Sequence, residues 1–323
     1  MTSEPFVSVV GHVPLSWAPD RGALATVTAG GLAILEGGEV RVLGAHHGVH
    51  ELAWSPDARA LAIGAEEGGF PGVRVISADD GAPIWTYVNM LEAFDELRWS
   101  PDGRRIAALS SDLSVLDARS GELQLRLRPA GGEAISEVVW SPSSRWLLLR
   151  GRSYRRDQPG AFRVCAAADG ATVVSGPIAD DDYLGWSAAH NEVFGDGADR
   201  LATRSTGISP RFRRSLVYTP DGVHAAAEGE QHVLWIEGPG GVLGIDGHPR
   251  TITALVLTPR GEVATGCRDG AVRRVHAGGE ALQQCWRGAP GERVEQLAWA
   301  SDGASLAVRA SDRVVLLSRR ILP

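Results

Sequence analysis

Short apolar runs alternate with turn-forming clusters along the whole chain, and none has the 3.6-residue period of a long amphipathic helix. The runs are four to eight residues long, rich in Val, Leu, Ile and Ala, and separated by Gly, Pro, Asp and Ser. One phrase recurs: an apolar stretch ending in an aromatic residue, then Ser/Thr-Pro-Asp-Gly, then a second apolar stretch. It is seen at Leu15-Ser-Trp17-Ala-Pro-Asp20, Leu52-Ala-Trp54-Ser-Pro-Asp57 and Leu97-Arg-Trp99-Ser-Pro-Asp-Gly103. Shorter copies stand at Val138-Val-Trp140-Ser-Pro142 and Leu184-Gly-Trp186-Ser187. The last three are Leu216-Val-Tyr218-Thr-Pro-Asp-Gly222, Leu255-Val-Leu257-Thr-Pro259 and Leu297-Ala-Trp299-Ala-Ser-Asp-Gly303. Each phrase predicts a strand, a tight turn closed by Pro and Gly, and a returning strand. Third strands such as Val73-Arg-Val75 and fourth strands such as Leu123-Gln-Leu-Arg-Leu127 complete units of about 40 residues, the size of one propeller blade.

The eight anchors lie 37, 45, 41, 46, 32, 39 and 42 residues apart. After Trp299 the chain has room for only three strands, and the segment at about 5–12 supplies the missing fourth. The expectation is an all-β fold: one β-propeller over 1–323 with four-stranded antiparallel blades, its ring closed by the N-terminal strand. Eight blades fit the anchors. Seven is the alternative count, because the 32-residue interval after Trp186 has the weakest strand pattern.

These residues resemble a WD-repeat β-propeller of the bacterial kind whose blades begin W-S-P-D-G. In that family a His, a Ser/Thr, a turn Asp and a strand-three Trp form a buried hydrogen-bonded set. Here His248, Thr265 and Asp269 match the first three, and Arg274 or Val275 stands where the Trp would be. The resemblance implies a protein-interaction scaffold or adaptor, monomeric, binding proteins or peptides on one propeller face. A second, weaker likeness lies in Ala78-Asp-Asp-Gly81-Ala-Pro-Ile-Trp85, similar to the docking motif of eight-bladed quinone-dependent dehydrogenases. It occurs once rather than in every blade, and Trp85 reads as blade-edge packing.

Composition narrows the chemistry. All 32 basic residues are Arg, so lysine-dependent phosphate loops and Schiff bases are excluded. No G-x-S-x-G elbow or G-x-G-x-x-G strand–helix turn is present, and no cofactor is implied. The net charge of -7 does not build a nucleic-acid-binding field. Cys165, Cys267 and Cys285 have neither disulfide-framework nor zinc-site spacing, no apolar run is long enough to span a membrane, and the N-terminus lacks a secretory pattern, so the expected compartment is cytoplasmic. His46, His47 and His50 have ligand-like spacing but read as a blade corner rather than a metal site.

Two sets of residues remain as candidates. Long turns between second and third strands are expected at Glu66–Pro71 and Gly151–Gly160, offering Phe70, Arg152, Tyr154, Arg155 and Arg156 to a partner, joined by Arg211 and Arg213. Glu51, Glu96 and Glu137 each stand three residues before an anchor, and Asp181 and Asp182 precede the next first strand. First strands are innermost, so these acids are expected to line an acidic channel mouth. That mouth gives the alternative function, an enzyme or a propeller binding a cation or small ligand.

Overall fold

In the computed structural model the described residues are all but 1–5, 9–13, 47, 90–91, 130–132, 156–157, 180–181, 188–190, 206–215, 276–278, 280, 312 and 319–323. They form eight antiparallel sheets arranged as a β-propeller, with only two short 3-10 turns, at Gly197–Asp199 and Glu230–His232. Seven sheets have four strands. In the second blade, for example, Glu51–Trp54, Ala60–Glu67, Phe70–Ser77 and Pro83–Val88 pair in sequence order. Inner strands are buried and outermost ones mostly exposed: Leu61, Ile63, Val73, Val75 and Ile76 are sealed, whereas Ile84 and Val88 face solvent. The core is a series of apolar layers between neighbouring sheets, not one central cluster.

The ring closes as the strand count requires. Phe6–Ser8 pairs antiparallel with Arg313–Ser318 and becomes the fourth strand of the sheet containing Val294–Trp299. The fifth blade departs from the expectation of four strands. Among the described residues it has three, ordered Tyr183–Trp186, Leu201–Arg204, Asn191–Phe194. In the other blades the anchor pairs with a residue six or seven positions on, as Trp54 with Leu61 and Leu257 with Val263, but Trp186 pairs with Leu201. The extra residues form a strand on the outer side of Leu201–Arg204. They end at buried Asp199, which accepts from the Ser143 N–H (3.0 Å), the Ser143 hydroxyl and Arg145 (3.1 Å) of the fourth blade. Those bonds hold the Asp199 carboxyl below its ordinary pKa against the opposing effect of burial.

The repeated phrase is a turn with its own hydrogen bonds. Ser55 Oγ donates to Asp57 Oδ1 at 2.6 Å and accepts from the Ala60 N–H, while Asp57 also accepts from the Arg59 N–H. Ser100–Asp102 and Thr219–Asp221 repeat the arrangement. The fifth residue is left-handed, with φ of 71° at Gly103 and 70° at Gly222, which is why glycine recurs there. Ala58 (φ 55°) and Ser144 (φ 62°) hold the same conformation with a Cβ.

The anchors stitch the ring. Trp54 Nε1–H donates to the Ser16 carbonyl (2.9 Å), Trp99 to Ala53 (3.1 Å), Trp140 to Arg98 (3.0 Å) and Trp186 to Val139 (3.4 Å). Trp17 donates to Ala298 (2.9 Å), across the seam between the ends of the chain. Every acceptor immediately precedes the anchor of the neighbouring blade, so the bonds run one way around the ring. Trp99→Phe removes one such bond and little apolar surface. It is expected to cost about 1–2 kcal/mol, read as a lower urea midpoint at constant slope.

Candidate interaction face

The first strand of each blade runs from one face of the ring to its anchor near the other. Glu51, Glu96 and Glu137 sit on the former face, paired in register with Gly64, Leu109 and Arg150. How far the second strands continue past those pairs gives the face its relief. In blade two the strand runs on to Glu67 and turns through Gly68 (φ 60°) and Gly69 (φ 86°) into Phe70. In blade four it runs on to Ser153, and the third strand begins at Gly160. Blade three stops at Leu109 and turns at once through Ser110–Asp112. Blade three is therefore a low saddle between two tall hairpins.

This corrects the two long turns. The 66–71 segment is two paired strands closed by a Gly-Gly turn, and of the 151–160 segment the residues up to Ser153 and from Gly160 are in strands. The gain in length went into strands, because alternating side chains on both extensions keep the ladder paired. Phe70 (44% exposed) and Tyr154 (73% exposed) stand at the tips, with Arg152 and Arg155 exposed beside Tyr154. Arg156, Arg211, Arg213 and Asp181 lie outside the described residues.

Under the saddle is a cavity of about 580 Å3 lined by Glu51, Asp95, Glu96, Glu137, Arg98 and Ser136. The expected acids do converge, but they arrive with their own cations. Arg98 pairs with Glu96 at 2.6 Å, and Glu96 also accepts from the Val138 N–H at 3.3 Å. Arg150 meets Glu137 at 3.3 Å and donates to the backbone carbonyls of Ala179 (3.3 Å) and Asp182 (2.8 Å). Sequence reasoning missed both arginines. A signal was present for one: Glu96 and Arg98 are two apart on a strand and so share a face. Arg150 required the register. Glu51 is half-buried. Desolvation pushes its pKa up to about 7, with Arg98 opposing and Glu96 and Asp95 adding to the rise.

The remaining candidates are structural. His248 Nε2 and Thr265 Oγ1 lie 2.8 Å apart, and Thr265 donates to the Arg273 carbonyl. Asp269 turns instead to Arg273 (2.6 Å) and Arg287 (3.3 Å), so an arginine replaces the rest of the set. Burial, with Arg273 adding, lowers His248 to about 4. His46 bonds Arg74 and His50 bonds the Gly48 carbonyl, so the pair does not converge. Trp85 Nε1–H donates to the Ala118 carbonyl at 2.8 Å, and its ring lies over Gly121, where a Cβ would come within 2.6 Å. That is blade-to-blade docking. Cys267 donates to the Arg250 carbonyl and burial drives Cys285 up to about 11, which leaves neither as a nucleophile.

The chain matches no family model and no curated protein.

No group of three His, Cys, Asp or Glu capable of holding a metal ion occurs among the described residues. Nor is any described helix long and apolar enough to cross a membrane, which says nothing of β-barrels. What the face offers is relief and charge. Two hairpins with exposed aromatic tips flank a floor on which carboxylates outnumber guanidinium groups.

Proposed function

We propose that this propeller, of WD-repeat-like build, is an interaction scaffold that seats a partner protein across the saddle of blade three. The observation that carries the reading is that Phe70 and Tyr154 project from hairpins on either side of one acidic floor. An aromatic at each end and acids between suit a basic segment of a partner, with the tips as apolar anchors and the floor supplying charge steering. Rigid sheets beneath the hairpins keep the geometry fixed, so little ordering cost attends binding.

Replacing Arg152, Tyr154, Arg155 and Arg156 together by Ser or Gly tests it. Stability is expected to stay within about 0.5 kcal/mol, because Arg152, Tyr154 and Arg155 are exposed. The partner captured from native cells by the original chain, and cross-linked to it at position 154, is expected to be lost. Retention of that partner by the variant removes the blade-four hairpin from the site.

A further inference from the structure

A second cavity, which shares Glu137 with the floor of the interaction face, lies in the central channel between the first strands of blades four, five and six. Its volume is about 820 Å3. Its walls are Trp140, Trp186, Tyr183, Tyr218, Leu184 and Leu216, with prolines at the anchor end and Glu137, Asp182 and Arg150 at the other. The aromatic walls follow from the repeat itself: three consecutive anchors bring their rings here. The space follows from the fifth blade, whose first strand packs less closely against its neighbours than the other first strands do.

The polar atoms of the wall select what fits. Trp140 and Trp186 have given their indole N–H groups to the carbonyls of Arg98 and Val139, and present ring carbon to the cavity. Tyr183 donates its hydroxyl to the Pro220 carbonyl at 2.8 Å, and its ring meets Tyr218 at 5.4 Å between centroids. Arg150 is held by Glu137 and by two backbone carbonyls. The Trp140, Trp186, Tyr183 and Arg150 donors therefore already have acceptors, while Glu137 and Asp182 line one end. A ligand entering here has to bring its own donor, and aromatic faces beside carboxylates favour a positive one. The volume is that of a cavity for a small organic molecule.

We propose that this channel pocket binds a small organic cation with an apolar body, of the arylalkylammonium class, its body among Trp140, Trp186 and Tyr218 and its ammonium towards Asp182 and Glu137. This goes beyond the seating of a partner on the hairpins, and the two fail separately.

The test uses 4-phenylbutylamine, 4-phenylbutanol and 4-phenylbutyrate, three probes with one body and a positive, neutral or negative head. Each is titrated into the full-length protein while the indole N–H resonances are followed by NMR. The amine is expected to bind at least tenfold more tightly than the alcohol, and the butyrate more weakly than either. Signals of Trp140 and Trp186 should move, and that of Trp85, at a blade edge away from the channel, should not. Asp182→Asn is expected to reduce the preference for the amine over the alcohol at least fivefold, whereas Tyr218→Leu weakens both. Phe70→Ser with Tyr154→Ser should leave all three affinities unchanged. Equal binding of amine and alcohol overturns the proposal, as do unmoved Trp186 signals or an Asp182→Asn variant with the preference intact. Binding of an Arg-rich peptide in the pocket without binding of the amine also overturns it, because the cation then belongs to a macromolecule. Should Tyr218→Leu fail to fold, Asp182→Asn, nearly isosteric at a half-buried mouth position, still decides.

Discussion

Glu51→Gln is expected to stabilise the protein at pH 8 by about 2 kcal/mol, a rise in melting temperature of about 3 °C, and to change nothing at pH 4. The sign follows from the proton. Folding lifts the Glu51 pKa from 4.5 to about 7, so the native state holds this proton more tightly than the unfolded chain does. Below pH 4.5 both states are protonated and burial carries no penalty. As pH rises from 4.5 to 7 the unfolded chain releases its proton first, and stability falls until the native carboxyl also ionises. Gln removes that fall while still accepting the Leu97 N–H bond. The magnitude is set below the full value of the shift because Glu51 is half-buried and Arg98 screens it. Equal stability of the two proteins at pH 8 would mean that Arg98 fully compensates the buried charge.

His248 acts in the opposite direction over an overlapping window. Its native pKa of about 4 lies below the ordinary 6.5, so its contribution is complete above pH 6.5 and is lost as pH falls towards 4. In the native protein the two slopes oppose each other between about 4.5 and 6.5. In Glu51→Gln the His248 slope stands alone, and stability climbs with pH through that interval.

Removal of residues 1–10 is the second large effect. Phe6–Ser8 supplies the outer ladder of the closing sheet. Without it, Arg313–Ser318 becomes an unpaired edge in a sheet held by strands from one end of the chain only. Loss of about three net hydrogen bonds costs about 3 kcal/mol, equivalent to about 4–5 °C in melting temperature. The exposed edge, which carries Val314, Val315 and Leu317, should also make the truncated protein self-associate. A truncated protein that sediments as a monomer and melts at the original temperature would show that the ring does not need this strand.

Much of the architecture was legible because a blade is a local object. Aromatic, Ser, Pro, Asp and Gly in sequence encode a turn whose bonds all lie within six residues, as Ser55, Asp57 and Ala60 show. The eight anchors, the shared closing blade and the packing role of Trp85 could be read for that reason. The fifth blade could not. Its inserted strand pairs outside Leu201–Arg204 through Asp199 and Ser143, 56 residues apart, and only the folded chain brings those together. The same holds at the face. The alignment of Glu51, Glu96 and Glu137 was visible at one position per blade, and their convergence followed from ring geometry. Their neutralisation by Arg98 and Arg150 depends on which side of each strand faces inward and on register between strands. The aromatic cavity went unnoticed because each Trp, taken singly, had a sufficient role as a wedge.

The Trp bonds divide the ring unequally. Indoles stitch blade eight to one and onward to five, but Tyr218 and Leu257 have no indole to offer and the Trp299 indole N–H meets no acceptor among the described residues, so the other arc is held differently. Arg204 bridges to Glu237 and to the Gly222 carbonyl between blades five and six. Glu228 accepts the Ile252 N–H between six and seven, and Thr253 reaches the Val294 carbonyl between seven and eight. One arc thus carries an unbroken row of neutral indole bonds beside charged ones such as those of Asp199, and the other lacks that row. The molecule therefore has a preferred place to part: a hinge of three junctions in an otherwise uniform wheel.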